Sequence, residues 1–117
     1  MPIAPETLFA NLANQTRLRC VALLLRHPEL CVCELTQALR MAQPHISRHL
    51  ALLRESGLLV DRRAGLWVYY QVNPHLAEWV ARMLRDLLDG VADRPPYCDD
   101  AATLAQMADR PGTSRCA

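Results

Sequence analysis

The sequence has no long apolar run, no internal repeat and no low-complexity tract. None of its 117 residues belongs to a stretch approaching the roughly 18 apolar residues that a membrane-spanning helix needs. The N-terminus also lacks the basic, apolar and small-residue layout of a secretion signal. We therefore expect no membrane association, a reducing cytoplasmic setting, and one modest domain with a single core.

The sequence contains five cysteines, an odd number, and their spacing argues against thiol-dependent enzymes. In a reducing compartment, five cysteines indicate metal-binding or reactive thiols rather than a disulfide framework. No C-x-x-C motif is present, and the four glycines form no phosphate-cradling loop. Both absences argue against a small thiol-dependent reductase or oxidoreductase, so we expect the chain not to be an enzyme.

Charge is distributed unevenly, although the net charge is only +1. Residues 1–73 contain eight arginines and five acidic residues, whereas residues 74–117 contain five arginines and seven acidic residues. The basic excess therefore lies in the first part of the chain, where it favours a local surface for phosphate groups.

The spacing of apolar residues predicts four helices before Gly57. They are expected at residues 7–12, 15–26, 33–40 and 43–55. In the first helix, Leu8, Phe9 and Leu12 are expected on one side, and Asn14 is expected to cap the second. Only a few residues separate the third helix from the fourth, which is typical of a helix-turn-helix.

The pattern then changes to two runs that are typical of strands. Residues 58–63 and 66–72 are rich in β-branched, aromatic and other apolar residues, and Ala64-Gly65 between them predicts a hairpin turn. Asn73 is expected to cap a last long helix over residues 74–89. The predicted fold is mainly α with a small β-hairpin, in the order α-α-α-α-β-β-α of a winged helix-turn-helix.

Composition changes again after Gly90. Residues 91–117 are rich in proline and acidic residues and form a predicted C-terminal tail, separate from the domain at residues 1–90. One short helix is expected in this tail, near residues 101–108.

The fourth helix has the side chains of a recognition helix that enters the major groove of double-stranded DNA. Its apolar stripe faces inward, which leaves four polar residues near its N-terminal turns: Gln43, His45, Ser47 and Arg48. Gln pairs with adenine and Arg with guanine, while Ser bonds a base or a phosphate. Arg62 and Arg63, near the hairpin turn, suit contacts to the DNA backbone. His49 lies beside the apolar stripe, where a packed role or base contact stays open.

Three stretches resemble the ArsR/SmtB family of bacterial metal-responsive repressors: QPHISRHLALL at residues 43–53, GL at 57–58 and DRRAGLWVYY at 61–70. The stretch ELCVCEL at residues 29–35 is similar to the arsenic-responsive branch in particular. The similarity covers residues 7–90. It implies that this segment binds DNA and forms a homodimer through its first and last helices. It further implies repression of an operon for arsenite efflux or detoxification, with release of the operator when an inducer binds.

Cys31 and Cys33 stand where the third helix begins. Residues i and i+2 of a regular helix point about 200° apart, so both sulfurs can bind one small ion only if one lies outside helical geometry. Binding is then expected to strain the helix start and move the helices that contact DNA. A helix N-terminus lowers the pKa of a thiol, and thiolates select soft ions. We expect As(III) or Sb(III) as inducer, with no cofactor required for DNA binding.

The source of a third sulfur stays open. Some relatives place a third cysteine three residues after the second, and here that position is Thr36. Cys98 is the preferred third ligand, and Cys116 or a solvent or small-thiol ligand is the alternative. Cys20 is expected to pack in the core.

Other sensor types of the same fold are the remaining alternatives. Relatives that sense cadmium or lead add cysteines in an N-terminal extension, and here no cysteine precedes Cys20. A zinc site along the last helix needs imidazole and carboxylate ligands at both ends, whereas His75 and Glu78 lie at its beginning only. A thiol-redox or persulfide sensor and a Cd or Pb sensor stay open as alternatives.

Overall fold

The computed structural model describes residues 3–107, in which six helices surround a three-stranded antiparallel sheet. The helices are α1 Pro5–Leu12, α2 Gln15–Arg26, α3 Val32–Leu39, α4 Gln43–Ser56, α5 Glu78–Val91 and α6 Tyr97–Gln106. The strands are β1 Leu30–Cys31, β2 Leu59–Ala64 and β3 Trp67–Val72. The predicted winged helix-turn-helix is confirmed, with the additional strand β1 and a longer α6.

Helix α2 has the predicted bounds because its start is capped as expected. The Asn14 side chain accepts a hydrogen bond from the backbone N–H of Arg17 at 3.0 Å, which satisfies one free donor of the first turn. Cys20 on this helix is fully buried in the core, as predicted. Burial raises the pKa of the Cys20 thiol to about 12, so this cysteine is a packing residue and a poor nucleophile.

Helix α1 begins two residues before its predicted start, because Pro5 suits the first helical turn. The expectation that Leu8, Phe9 and Leu12 lie on one side of the helix does not hold for burial in the core. Leu8 and Leu12 are buried, whereas Phe9 is 51% exposed. Successive residues of a helix point about 100° apart, so Phe9 is turned away from the core that its neighbour enters.

The two helices of the helix-turn-helix end at left-handed residues. Helix α3 is followed by Arg40 at φ 57°, and α4 is followed by Gly57 at φ 91°. Within α4, Ile46, Leu50 and Leu53 are fully buried, which confirms the predicted apolar stripe. Helix α4 therefore turns its opposite, polar face toward solvent.

The sheet has the order β1-β3-β2, so the hairpin strand β3 lies in the middle. Leu30 and Cys31 of β1 pair with Tyr70 and Tyr69 of β3. A two-residue strand has no periodicity to detect, which is why β1 was absent from the prediction. The β2–β3 hairpin, residues 59–72, is the wing. Because β1 pairs with β3, the segment before α3 is hydrogen-bonded to this wing.

Helix α5 begins at Glu78, and the expectation that Asn73 caps a helix at residue 74 is wrong. Asn73 donates from Nδ2 to the carbonyl oxygen of Gly57 at 2.9 Å, and its Oδ1 accepts from the backbone N–H of His75. It therefore joins the end of β3 to the end of α4. The residues that follow form a turn before the helix.

Helix α6 packs against α2 and α3, although it lies after the change in composition at Gly90. It starts at Tyr97, four residues before the predicted short helix. Leu104 is fully buried in the common core, and Asp100 forms an ion pair with Arg19 at 2.7 Å. The separation of residues 91–117 as an independent unit stays a prediction based on composition.

The core is formed by apolar residues of every helix and strand, arranged around α2, α4 and the sheet. Its fully buried members include Leu8, Leu30, Leu35, Ile46, Leu50, Leu53, Leu58, Leu84 and Leu104. Among residues 3–107, every helix is too short or too polar to cross a membrane.

Candidate functional site

Two sulfurs meet at the start of α3. Cys31 is the N-cap residue with extended backbone angles, φ −82° and ψ 161°, while Cys33 lies in the first turn. Because Cys31 is outside helical geometry, the two side chains do not diverge as i and i+2 residues of a helix would. Their Sγ atoms are 3.2 Å apart. The two sulfurs therefore lie close together at the start of α3, and their binding of one ion stays a prediction.

Cys31 and Glu34 form a capping box, with cysteine in the position usually occupied by serine or threonine. The Cys31 sulfur accepts from the backbone N–H of Glu34, and the Glu34 carboxylate accepts from the backbone N–H of Cys31 at 3.0 Å. Both residues are buried. The sulfur at the site therefore also stabilises the helix start.

The expectation that the helix N-terminus lowers the pKa of Cys31 is wrong. Burial raises the pKa of this thiol to about 11, and the hydrogen bond from the Glu34 backbone opposes the shift without reversing it. Removal from water disfavours the thiolate more than one backbone donor favours it. Cys31 is therefore a neutral thiol near neutral pH.

A groove of about 740 Å³ adjoins the two sulfurs. Residues 31–33 lie at one wall, Gln43, Ser47 and Arg54 of α4 at another, and the β2–β3 hairpin forms the rest. The wing side is lined mainly by larger side chains: Arg63, Leu66, Trp67, Val68 and Tyr70. The sulfurs of Cys31 and Cys33 therefore lie between the two elements expected to contact DNA.

Within residues 3–107, no third ligand lies beside the sulfurs of Cys31 and Cys33. Residues 3–107 contain no group of three or more His, Cys, Asp or Glu residues placed to hold a metal ion. Thr36 donates its hydroxyl to the carbonyl oxygen of Val32, and Cys98 lies near the start of α6 beside Asp99. Cys116 lies outside the described residues. Cys98 as third ligand stays a prediction.

The polar face of α4 is organised by two pairs of side chains. Gln43 donates from Nε2 to the Ser47 hydroxyl at 2.7 Å, and Arg48 donates from Nη2 to His45 Nδ1 at 3.2 Å. Each pair links residues three or four positions apart, which share one helix face. Gln43 and Arg48 are exposed, as a base-contacting role requires.

His49 is a packed residue of α4. It is buried, and its Nδ1 accepts a hydrogen bond from Nη1 of Arg17 on α2 at 3.2 Å. Burial and the nearby positive groups lower the pKa of His49, which favours the neutral ring. The contact fixes α4 against α2 and leaves His49 unsuited to reading a base.

The two wing arginines have different surroundings. Arg62 donates from Nε and Nη2 to Glu29, and its guanidinium lies over the ring of Tyr69. Arg63 faces the groove beside Ser47, and within residues 3–107 it forms no salt bridge. That both arginines contact the DNA backbone stays a prediction. Of the two, Arg63 is better placed to contact a phosphate, because Arg62 is already paired with Glu29.

Comparison with known proteins agrees with this architecture. A family model described as "Bacterial regulatory protein, arsR family" matches residues 14–60. The arsenic resistance transcriptional regulator ArsR1 of Pseudomonas putida is 50% identical over 109 residues, which cover 93% of this chain and 84% of that protein. The chain belongs to the ArsR family of bacterial regulatory proteins.

A second curated protein and a solved structure are also similar to this ArsR-family chain. The arsenical resistance operon repressor of Escherichia coli is 55% identical over 82 residues, which cover 70% of either chain. The solved structure of the AntR antimony-specific transcriptional repressor has a TM-score of 0.61 and 34% identity, and the match covers 72% of this chain and 73% of that one.

Two residues that contact the Cys31 segment, Glu34 and Tyr69, were missed in the sequence. The spacing Cys31-x-x-Glu34 is that of a capping box and would have indicated Glu34 if cysteine had been considered as a cap. Tyr69 is recognisable only from strand register, because it pairs with Cys31 across a strand that the sequence does not reveal.

Proposed function

We propose that this chain is an arsenite- and antimonite-responsive transcriptional repressor. It binds operator DNA as a homodimer and dissociates from it when As(III) or Sb(III) binds the sulfurs of Cys31 and Cys33. The thiols serve ligand binding and not catalysis, in a reducing cytoplasm. The observation that carries the proposal is the 3.2 Å separation of the two sulfurs at the start of the helix that precedes α4.

The chemistry of the sulfurs supports a hydroxide-bearing ligand such as As(OH)₃. Each As–S bond forms as a thiol loses its proton and arsenic loses a hydroxide, and the two leave together as water. A neutral Cys31 thiol, whose pKa is raised to about 11 by burial, supplies that proton. Soft trivalent ions match sulfur ligands, and the names of the Pseudomonas and E. coli relatives support arsenic.

Release follows from the double role of Cys31. Its sulfur accepts from the Glu34 backbone in the free protein, and a bond to arsenic withdraws it from that role. Loss of an N-cap costs a helix about 1 kcal/mol. Because α3 packs directly against α4, a strained α3 start shifts the recognition helix. The ligand thus binds the DNA-incompetent state more tightly, as linkage requires.

DNA binding itself is assigned to α4 and the wing. Gln43, His45, Ser47 and Arg48 are proposed to face the major groove, and Arg63 to contact a phosphate. No cofactor is required, since the polar face of α4 is organised by its own side-chain pairs. The dimer is proposed to form through α1 and α5, which carry the exposed aromatic residues Phe9 and Trp79.

The test measures operator binding by fluorescence anisotropy with and without arsenite, in the presence of a reductant and with metal ions removed beforehand. Cys31→Ser and Cys33→Ser are expected to bind the operator as wild type does and to stay bound at arsenite concentrations that release wild type. Cys20→Ala is the matched control, because it removes a buried thiol outside the pair, and it should respond normally.

Full release of the Cys31→Ser/Cys33→Ser double variant by arsenite would contradict the site. Parallel titrations with peroxide, polysulfide, Cd²⁺ and Pb²⁺ address the alternative sensors, because a redox or divalent-metal sensor would respond to those agents and not to arsenite. Counting the sulfurs bound to arsenic by X-ray absorption, in wild type and Cys98→Ser, tests the predicted third ligand. A loss of one sulfur identifies Cys98.

A further inference from the structure

An ion pair joins the wing to the segment at residues 29–33, which contains Cys31 and Cys33. Arg62 of β2 donates from Nε and Nη2 to the two carboxylate oxygens of Glu29, at 2.7 and 2.8 Å. Glu29 immediately precedes β1 and is two residues from Cys31. A two-point contact between a guanidinium and a carboxylate fixes orientation as well as distance. It therefore fixes the position of β2 relative to the segment that precedes β1.

Tyr69 connects the same two segments through the sheet. It is the cross-strand partner of Cys31 on one side and of Arg62 on the other. The Arg62 guanidinium carbon lies 4.5 Å from the centre of its ring, which is a cation–π contact. Cys31, Tyr69 and Arg62 thus form one row across three strands, and the Glu29–Arg62 ion pair connects the outer strands of that row.

The neighbouring Arg63 provides a contrast. It lies on the groove side of the hairpin with Gln43 and Ser47, whereas Arg62 is turned toward Glu29. A phosphate that approached Arg62 would compete with the Glu29 carboxylate for the same N–H donors. Within residues 3–107, Arg63 has no acidic partner with which a phosphate would compete.

We propose that the Glu29–Arg62 pair positions the wing relative to the thiol site, so that ligand binding at Cys31 moves the wing together with α4. This inference rests on the proposed function. It adds a second route by which ligand binding lowers DNA affinity, which passes through β1 and the sheet instead of through α3. Arg62 is then a positioning residue in release. Without the pair, bound ligand displaces α4 alone, and more DNA affinity remains.

The experiment uses the full chain and measures operator affinity with and without sodium arsenite; the ratio of the two affinities quantifies release. Glu29→Gln and Arg62→Gln are each expected to reduce that ratio by about 3- to 10-fold. The double variant should lose no more than either single variant, because both remove the same contact. Arg62→Lys should restore part of the ratio, since lysine keeps one charged contact with Glu29.

Arg63→Gln is the matched control on the same strand. It should weaken binding of the ligand-free protein, reduce the salt dependence by about one unit of slope, and leave the arsenite ratio unchanged. If Arg62→Gln behaves in this way and Glu29→Gln behaves as wild type, the proposal is overturned and Arg62 is a phosphate contact.

Amide hydrogen exchange without DNA separates the inference from the proposed function. In wild type, arsenite should change exchange in both α3 and the wing strands; in Arg62→Gln, the change should be confined to α3. A wing response that persists in Arg62→Gln contradicts the coupling alone. Absence of any arsenite effect on wild type, in exchange and in DNA affinity, contradicts the proposed function and the coupling that rests on it.

Discussion

Cys31 combines three properties that work against one another. It caps α3, it is buried, and it lies against Cys33. Capping places the sulfur next to the positive end of the helix, which favours a thiolate, and burial favours the neutral thiol. Burial dominates, so the pKa of the Cys31 thiol is raised and its reactivity toward ordinary electrophiles is suppressed.

The raised pKa of Cys31 makes a prediction for alkylation. Because the pKa is about 11, the thiolate fraction should rise about tenfold for each pH unit between pH 7 and 9. The rate of iodoacetamide addition at Cys31, followed by peptide mass spectrometry, is expected to rise in the same proportion. Glutathione in the same solution is the control, because its rate levels off near its lower pKa. A plateau for Cys31 below pH 9 would mean that the helix N-terminus outweighs burial.

At the scale of elements, α6 is part of the folded core. Its Leu104 is fully buried, and Asp100 accepts two hydrogen bonds from Arg19, at 2.8 and 2.7 Å. The same guanidinium reaches the carbonyl oxygen of Leu39 at the end of α3. Helix α6 therefore holds the C-terminal end of α3, whereas the thiols lie at its N-terminal end.

Removal of the buried side chain of α6 measures how firmly this helix is docked. Leu104→Ala should lower the free energy of unfolding by about 2–5 kcal/mol, because a fully buried leucine leaves a cavity. The control is Leu66→Ala, whose leucine is 98% exposed at the wing turn and should change stability by less than about 0.5 kcal/mol. Urea unfolding at one fixed protein concentration provides both values. Equal, small effects would show that α6 does not dock in solution.

At the scale of the whole molecule, apolar surface remains on the two helices expected to pair. Phe9 of α1 is 51% exposed and Trp79 of α5 is 43% exposed. On α5, only Val80 and Leu84 are buried, while Met83 and Leu87 are partly exposed. A second copy of the chain would cover these side chains, and two recognition helices would then face adjacent half-sites of one operator.

The dimer prediction is tested by placing a charge on each surface. Phe9→Glu and Trp79→Glu should each shift the protein from dimer to monomer at micromolar concentration in sedimentation experiments, and weaken operator binding in parallel. Leu66→Glu introduces the same charge at an exposed leucine of the wing and should leave the dimer intact. Circular dichroism confirms that each variant is folded. Dimers that persist in both α1 and α5 variants would place the interface elsewhere.

Much of the architecture is determined by the sequence itself. The apolar stripe Ile46, Leu50 and Leu53 defined α4, and Asn14 defined the start of α2, because caps and helical periodicity are local properties. The requirement that one cysteine of the pair lie outside the helix also followed from residue spacing alone. The structure agrees on all three points.

Only the tertiary structure decided the surroundings of the site. The pairing of Cys31 with Tyr69, the attachment of Arg62 to Glu29 and the docking of α6 by Asp100 join residues between 33 and 81 positions apart. The raised pKa of Cys31 depends on burial by such distant neighbours. Contacts of this kind have no local signature, because they arise from packing after the elements have formed.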